Sequence, residues 1–257
     1  MTDLQKYIDL ATQLVDITRP EIMSRFRTGI AIDAKSDASP VTEADRTAEK
    51  VMRARINEAF PDHGILGEEF GNENVDAEFV WVLDPIDGTN SFVTGKPLFG
   101  TLVALCHNGV PVVGIIDAPA VDERWIGAKG RPTTHNGEVV QTRSCARVDQ
   151  AWLYATTPEM FEGQNETAFN NLSNAARRTV YGGDCYAYGL LSSGYVDLIC
   201  EASLGTYDFA ALVPVVEGAG GIITDWNGAP ITMKTDGRVL AAGDKTLHAA
   251  ALNQLKS

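Results

Sequence analysis

An unbroken apolar run, Phe79-Val80-Trp81-Val82-Leu83, ends on Asp84-Pro85-Ile86-Asp87-Gly88-Thr89-Asn90. The run is too short for a helix and long enough for a buried strand. Pro85 removes a backbone donor, so regular pairing is expected to stop there. Ile86 spaces a second carboxylate, Asp87, from the first. Gly88 permits a tight bend with close backbone approach, and Thr89 and Asn90 suit the first residues of a helix. The stretch therefore sets two carboxylates at a strand's end, facing a helix N-terminus. Hard cations such as Mg²⁺ take oxygens of this kind, and phosphate is drawn both to those cations and to free helix amides. A surface Asp-Pro turn followed by an Asp-Gly turn is the competing reading of the same residues.

Two further acidic elements bear on that choice. Ile65-Leu66 reads as a short strand ending in Gly67-Glu68-Glu69, and Tyr207-Asp208 opens a helix with Phe209, Leu212, Val213 and Val216 as its apolar residues. Three acidic elements at strand ends or helix starts suit a multi-metal site. In the same order, Gly67-Glu68-Glu69, Asp84-Pro85-Ile86-Asp87-Gly88-Thr89, and Asp208 ahead of Glu217-Gly218-Ala219-Gly220-Gly221 resemble the inositol monophosphatase-like family of Mg²⁺-dependent phosphatases. The likeness runs through nearly the whole chain.

The resemblance implies a layered αβαβα sandwich, with the site at the junction of its halves and two to three Mg²⁺ ions per active site. It assigns Glu68, Asp84 and the Ile86 carbonyl to one metal and Asp84, Asp87 and Asp208 to a second. Glu68 would also hold a third, weaker ion, and Glu69 is the less favoured ligand. The catalytic set it implies is Glu68, Thr89 and Asp45. Thr89 would orient the attacking water, and Asp45 would hydrogen-bond Thr89 and make it a better proton acceptor. Asp45 is alternatively the acidic half of a capping box, Thr42-Glu43-Ala44-Asp45. The substrate would touch Asp87, Gly88, Thr89, Asp184, Glu201 and Asp208, with the Gly88 and Thr89 amides on the phosphate.

Within the family, Tyr181-Gly182-Gly183-Asp184-Cys185-Tyr186-Ala187-Tyr188-Gly189 and Thr206-Tyr207-Asp208 resemble the branch that acts on histidinol phosphate. Inositol phosphatases usually carry tryptophan before that aspartate and a small residue where Asp184 stands. Asp184 and Glu201 match positions lining the alcohol side of the pocket. The expected substrate is thus a small phosphorylated amino alcohol. An inositol or sugar phosphate is the alternative within the family, and a non-catalytic binding protein on this fold is the alternative outside it. A homodimer is implied by the resemblance only.

Composition narrows the rest. The chain has 257 residues, with 34 acidic against 21 basic and a formal charge of −13. That balance speaks against a nucleic-acid partner, which needs clustered Lys and Arg, and tolerates a phosphate substrate where divalent metals neutralise the site. The four histidines lack ligand spacing, so zinc is not expected. Cys106, Cys145, Cys185 and Cys200 show no Cys-x-x-Cys pairing, and Cys106 and Cys200 read as buried reduced thiols. The N-terminus has no charged-then-apolar leader and no apolar run spans a membrane, so a cytoplasmic protein is expected, with no membrane partner.

Along the chain, residues 3–18 read as an amphipathic helix, and Pro20 opens a further turn with Ile22, Met23 and Phe26. Residues 28–40 read as a loop, and a helix follows through Phe60. His107-Asn108-Gly109 and Asn136-Gly137 mark hairpins. Strands then alternate with helices, Asp184 and Asp244 each capping one. The expected fold class is α/β, an α+β first half over 1–145 and an α/β half over 146–257. Gly218-Ala219-Gly220-Gly221 lacks dinucleotide-loop spacing and reads as a helix C-cap. The four tryptophans read as core, and Arg177-Arg178 as either surface charge or a contact for phosphate or a partner.

Overall fold

Tyr7, Leu10, Ala11, Leu14 and Val15 recur at helical spacing and are all buried, on helix α1 (Gln5–Arg25). The helix does not stop at Pro20; it runs through it. An interior proline costs about 3 kcal/mol. Beyond it, Ile22 is fully buried against Ala44, Ala48, Ile86, Phe92 and Phe99, and burying one such side chain returns about 1.5–3 kcal/mol.

The computed structural model describes residues 4–28, 33–34, 40–41 and 43–256. Strands β1 (Asp33–Ala34) and β2 (Pro40–Val41) pair antiparallel inside the stretch expected to be a loop, and helix α2 is Glu43–Ala59. Thr42, the head of the expected capping box, lies outside the described residues. There follow β3 (Gly64–Gly67), β4 (Gly71–Glu73), β5 (Phe79–Asp87), α3 (Thr89–Val93), β6 (Gly100–His107), β7 (Val110–Ala118), β8 (Glu123–Ala128), β9 (Thr134–His135) and β10 (Glu138–Val139). The remainder comprises β11 (Trp152–Ala155), α4 (Gln164–Ala175), β12 (Arg178–Tyr181), α5 (Asp184–Ser192), β13 (Leu198–Glu201), α6 (Thr206–Phe209), α7 (Leu212–Gly218), β14 (Ile222–Thr224), β15 (Val239–Ala242) and α8 (Lys245–Leu255).

Two sheets result. One has eight strands in the order β10-β9-β8-β7-β6-β5-β3-β4, the other five in the order β12-β11-β13-β15-β14. Helices α1 and α2 pack on the outer face of the larger sheet, α5 and α7 fill the space between the sheets, and α4 and α8 cover the far face of the smaller one. That is the αβαβα layering. Strand β5 shows why both its faces are apolar: Trp81 and Leu83 point into the α1–α2 core, and Val82 into the core between the sheets.

Four local expectations are revised. Pairing does not end at Pro85, because the β5–β6 ladder resumes at Asp87–Gly100 after an irregularity between Asp84 and Asp87. The helix expected to open at Tyr207-Asp208 is divided into α6 and α7. Pro214 cannot donate to the Ala210 carbonyl, so a continuous helix would lose that bond, whereas proline is tolerated in the first turn of a new one. Asp184 does not cap α5; Gly183 does, and no side-chain cap bond forms. Trp152 is 37% exposed, whereas Trp81, Trp125 and Trp226 are core. Asp244 does cap α8, accepting from the Thr246 amide at 2.7 Å. All four cysteines are free. No described helix is long and apolar enough to cross a membrane.

The close seating of α7 has a specific cause. Gly114 and Gly127 face each other across β7 and β8. A Cβ at Gly114 would lie 2.0 Å from the Ala211 carbonyl oxygen, and one at Gly127 would lie 2.3 Å from that of Pro214. The glycine pair is a notch that receives the helix backbone, and α6 with Asp208 arrives at the end of β5 as a consequence. Gly127→Ala should therefore lift α7, lower stability by about 1–3 kcal/mol and slow turnover. Thermal melting alongside an activity assay checks this, and an unchanged melting temperature contradicts it.

Candidate active site

The end of β5 is folded back on itself by short-range bonds. The Asp84 Oδ1 accepts from the Ile86 amide at 3.1 Å, and the Pro85 carbonyl accepts from the Thr101 hydroxyl at 2.8 Å. Gly88 follows at φ +79°, a left-handed conformation that turns the chain into α3. Asp87 Oδ2 accepts from the Cys185 amide at 2.7 Å, and Asp208 Oδ2 accepts from the Gly205 amide at 2.6 Å. Glu68 follows β3, its amide bonded to the Leu83 carbonyl at 3.2 Å.

These residues converge. Asp84, Asp87 and Asp208 each bring an oxygen within 4.8 Å of the other two. Glu68, Ile86, Gly88, Thr89, Asn90, Thr156, Asp184 and Leu204 line the same cavity of about 210 Å³. Burial raises the Asp84 carboxyl far above its ordinary range, and the charges of Glu68, Asp87 and Asp208 push it further. Asp87 is raised by burial, Asp184 and Asp208. Asp208, ordinarily at 3.8, is pushed up to about 7, chiefly by burial. A set of oxygen donors that repel one another in a low-dielectric pocket is what a hard divalent cation neutralises. The donor set fits Mg²⁺.

Asp184 adopts φ +45°. Its Oδ2 accepts from the Ser91 hydroxyl at 2.8 Å, and a Cβ at Gly88 would lie 2.9 Å from that same oxygen. Burial raises its carboxyl, with Ser91 and Lys96 opposing. Glu201 stands differently from the expectation. It is not a lining residue, because the Thr156 amide (3.0 Å) and hydroxyl (2.6 Å) hold Oε1 and the Tyr188 hydroxyl (2.7 Å) holds Oε2. Thr156 is the residue of that group that reaches the cavity, and since its proton goes to Glu201 it offers the cavity an acceptor.

Thr89 Oγ1 donates to the Ile86 carbonyl at 3.1 Å. A hydroxyl has one proton, so the Asp45 contact implied by the resemblance competes for it. Asp45 is buried in the first turn of α2. Ser91, Thr156 and Tyr188 escaped the sequence reading because their partners lie 13 to 93 residues away. Arg177 and Arg178 are not among the cavity residues, and Arg177 sits 5.9 Å over the Trp152 ring.

A mixed α/β sandwich with carboxylates clustered where the end of β5 meets α6 is the arrangement of a metal-dependent phosphatase. The chain belongs to the inositol monophosphatase family, whose model matches residues 3–257. It is 47% identical to "Bifunctional phosphatase IMPL2, chloroplastic" of Arabidopsis thaliana, over 99% of this chain and 76% of that one. It is 34% identical to a histidinol-phosphatase of Chlorobaculum parvum, over 93% of this chain and 92% of that one. Among solved structures, an inositol monophosphatase from Zymomonas mobilis matches 100% of both chains with TM-score 0.92 and 48% identity.

The raised carboxyls fix a sign for the metal-free protein. A carboxyl whose folded pKa exceeds its unfolded value stabilises below the unfolded value, and that contribution is lost as pH rises through the folded one. For Asp208 the window runs from 3.8 to about 7. Burial lowers His63 and His248 from 6.5, which works in the opposite direction at lower pH. From roughly pH 6.5 to 8 the metal-free melting temperature should accordingly fall, and Mg²⁺ should raise it more at the upper end. Calorimetry checks this, and a metal-free melting temperature that climbs across the window contradicts it.

Proposed function

We propose that the chain hydrolyses histidinol phosphate to histidinol and phosphate, using two to three Mg²⁺ ions held by Glu68, Asp84, the Ile86 carbonyl, Asp87 and Asp208. The observation that carries the substrate is Asp184, a half-buried carboxylate in the cavity and outside the three-aspartate cluster. Histidinol phosphate carries an ammonium and an imidazole beside its ester, whereas inositol phosphate offers neutral hydroxyls. A carboxylate favours the former through a charge-assisted hydrogen bond. The 34% identity to a histidinol-phosphatase supports the same reading.

When bound, Mg²⁺ supplies the positive charge that lowers the pKa of a water and stabilises charge developing on the leaving oxygen. The chain's own groups do the rest. The Gly88 and Thr89 amides receive phosphate oxygens at the turn into α3. Thr89, with its proton on the Ile86 carbonyl, turns an oxygen lone pair to the cavity, where it accepts a hydrogen bond from the attacking water and holds it in line; it can take that water's proton only as its own passes to another acceptor. Asp45 draws the Thr89 proton when the hydroxyl turns. Thr156 accepts from the substrate's alcohol side, and Glu201 acts through it. A homodimer belongs to this reading by family likeness, and light scattering tests it.

An inositol or sugar phosphate is the second reading, favoured by the 48% identity to a structure named an inositol monophosphatase. Asp184→Asn separates the two, since asparagine keeps the left-handed backbone and the Ser91 contact while losing the charge. It should lower kcat/KM for histidinol phosphate roughly ten- to a hundredfold, the effect of about 1.5–3 kcal/mol. Inositol 1-phosphate should lose far less. Equal losses, or a wild type that prefers inositol phosphate, reject the proposed substrate.

Thr89→Ala and Asp45→Asn should each lower kcat much more than they change KM, because they act on the water. The double variant should be scarcely slower than the worse single one. Loss of melting temperature without loss of rate in Asp45→Asn would reduce Asp45 to a structural residue.

A further inference from the structure

Helix α2 carries a second buried carboxylate one turn beyond Asp45. Glu49 is fully buried. Its Oε2 accepts from the Glu69 amide at 2.7 Å, and its Oε1 accepts from the Phe70 amide at 3.2 Å and from Arg53 Nε at 2.7 Å. Arg53 in turn donates to the Gly71 carbonyl and lies 3.6 Å from Glu73. At Gly67 a Cβ would lie 2.0 Å from Glu49 Oε1, so a side chain there would displace the carboxylate. Residues 67–71, the connection from β3 to β4, thus wrap around one carboxylate, and Glu68 stands in the middle of the wrap.

On its outer side the wrap is closed by backbone pairing of β3 with β4, Gly67 opposite Gly71. Strand β4 is the last strand of the larger sheet, and its three residues are exposed. It therefore buries no side chains that would fix the turn. On the inner side the Glu68 amide is bonded to Leu83 on β5. Glu68 is held between β5 and the Glu49 carboxylate, and through Glu49 it is tied to the helix that bears Asp45.

We propose that Glu49, backed by Arg53, is a positioning residue of the reaction: it sets the reach of Glu68 into the metal site. This rests on Glu68 being a metal ligand. The chemistry requires a carboxylate at position 49, because two amides and a guanidinium point at it. A glutamine there offers one acceptor oxygen and turns N–H groups toward N–H groups. Displacing a ligand by a fraction of an ångström weakens the metal before it touches the substrate.

The test measures two Mg²⁺ responses in wild type, Glu49→Ala, Glu49→Gln and Glu68→Gln. One is the Mg²⁺ concentration giving half-maximal phosphate release; the other, independent of turnover, is the rise in melting temperature that Mg²⁺ produces. Glu49→Ala should raise the half-maximal concentration roughly ten- to a hundredfold and shrink the Mg²⁺-linked melting shift. KM for the phosphate ester at saturating Mg²⁺ should stay within about twofold. Glu49→Gln should move the same way by less, and it carries the test should Glu49→Ala not fold. If both Mg²⁺ responses in the Glu49 variants match wild type while Glu68→Gln shifts them, Glu49 only stabilises the fold and the proposal is overturned. If Glu68→Gln leaves them unmoved as well, the ligand reading of Glu68 falls with it.

Discussion

The structure depends on holding like charges together away from water. Asp84, Asp87 and Asp208 approach within 4.8 Å of one another in a pocket where burial and mutual repulsion all favour protonation. Each is held in the same manner. One oxygen accepts a backbone amide, from Ile86, Cys185 or Gly205 respectively. Each carboxylate therefore keeps further lone pairs free for a cation. The amides fix direction at modest cost, and the residual repulsion is the driving force for taking up metal.

Those three amides belong to three separated pieces of chain, and the layered fold exists to join them. The β5 irregularity supplies the Ile86 amide, the start of α5 supplies Cys185, and the residue before α6 supplies Gly205. Helices α5 and α7 lie between the two sheets, and the notch at Gly114 and Gly127 sets how deeply α7 sits. Glu68 is set from the opposite face, through Glu49 on α2. Elements from both sides of the larger sheet are needed to complete one cavity.

Much of this was legible beforehand because the site is built from contiguous motifs. The apolar run ending at Asp84 read as a buried strand, and the acidic elements at Glu68 and Asp208 favoured a metal site over a pair of surface turns at its end. The sequence also carried the hairpin at Asn136-Gly137 and the Asp244 cap, since both are local and depend on residues at most a few positions apart. It misjudged Pro85 and Asp184, whose local preferences tertiary contacts override, and it passed over Pro214, whose local preference divides the helix after Asp208. Asp184 has the side chain of a helix cap, yet Ser91 and the bare face of Gly88 draw it into the cavity instead.

The residues of the chain by themselves determined the family likeness, the acidic residues that cluster and the strand that carries two of them, because those follow from residue type and short spacing. Only the tertiary structure decided that Glu201 serves Thr156, that Glu49 grips the turn bearing Glu68, and that two facing glycines seat the helix after Asp208. The physical reason is range. A hydrogen bond between residues 45 positions apart, or a helix backbone pressed against a bare sheet, leaves no periodic trace in sequence. Such contacts arise when burial brings the layers together, and they set the reach of every group the site uses.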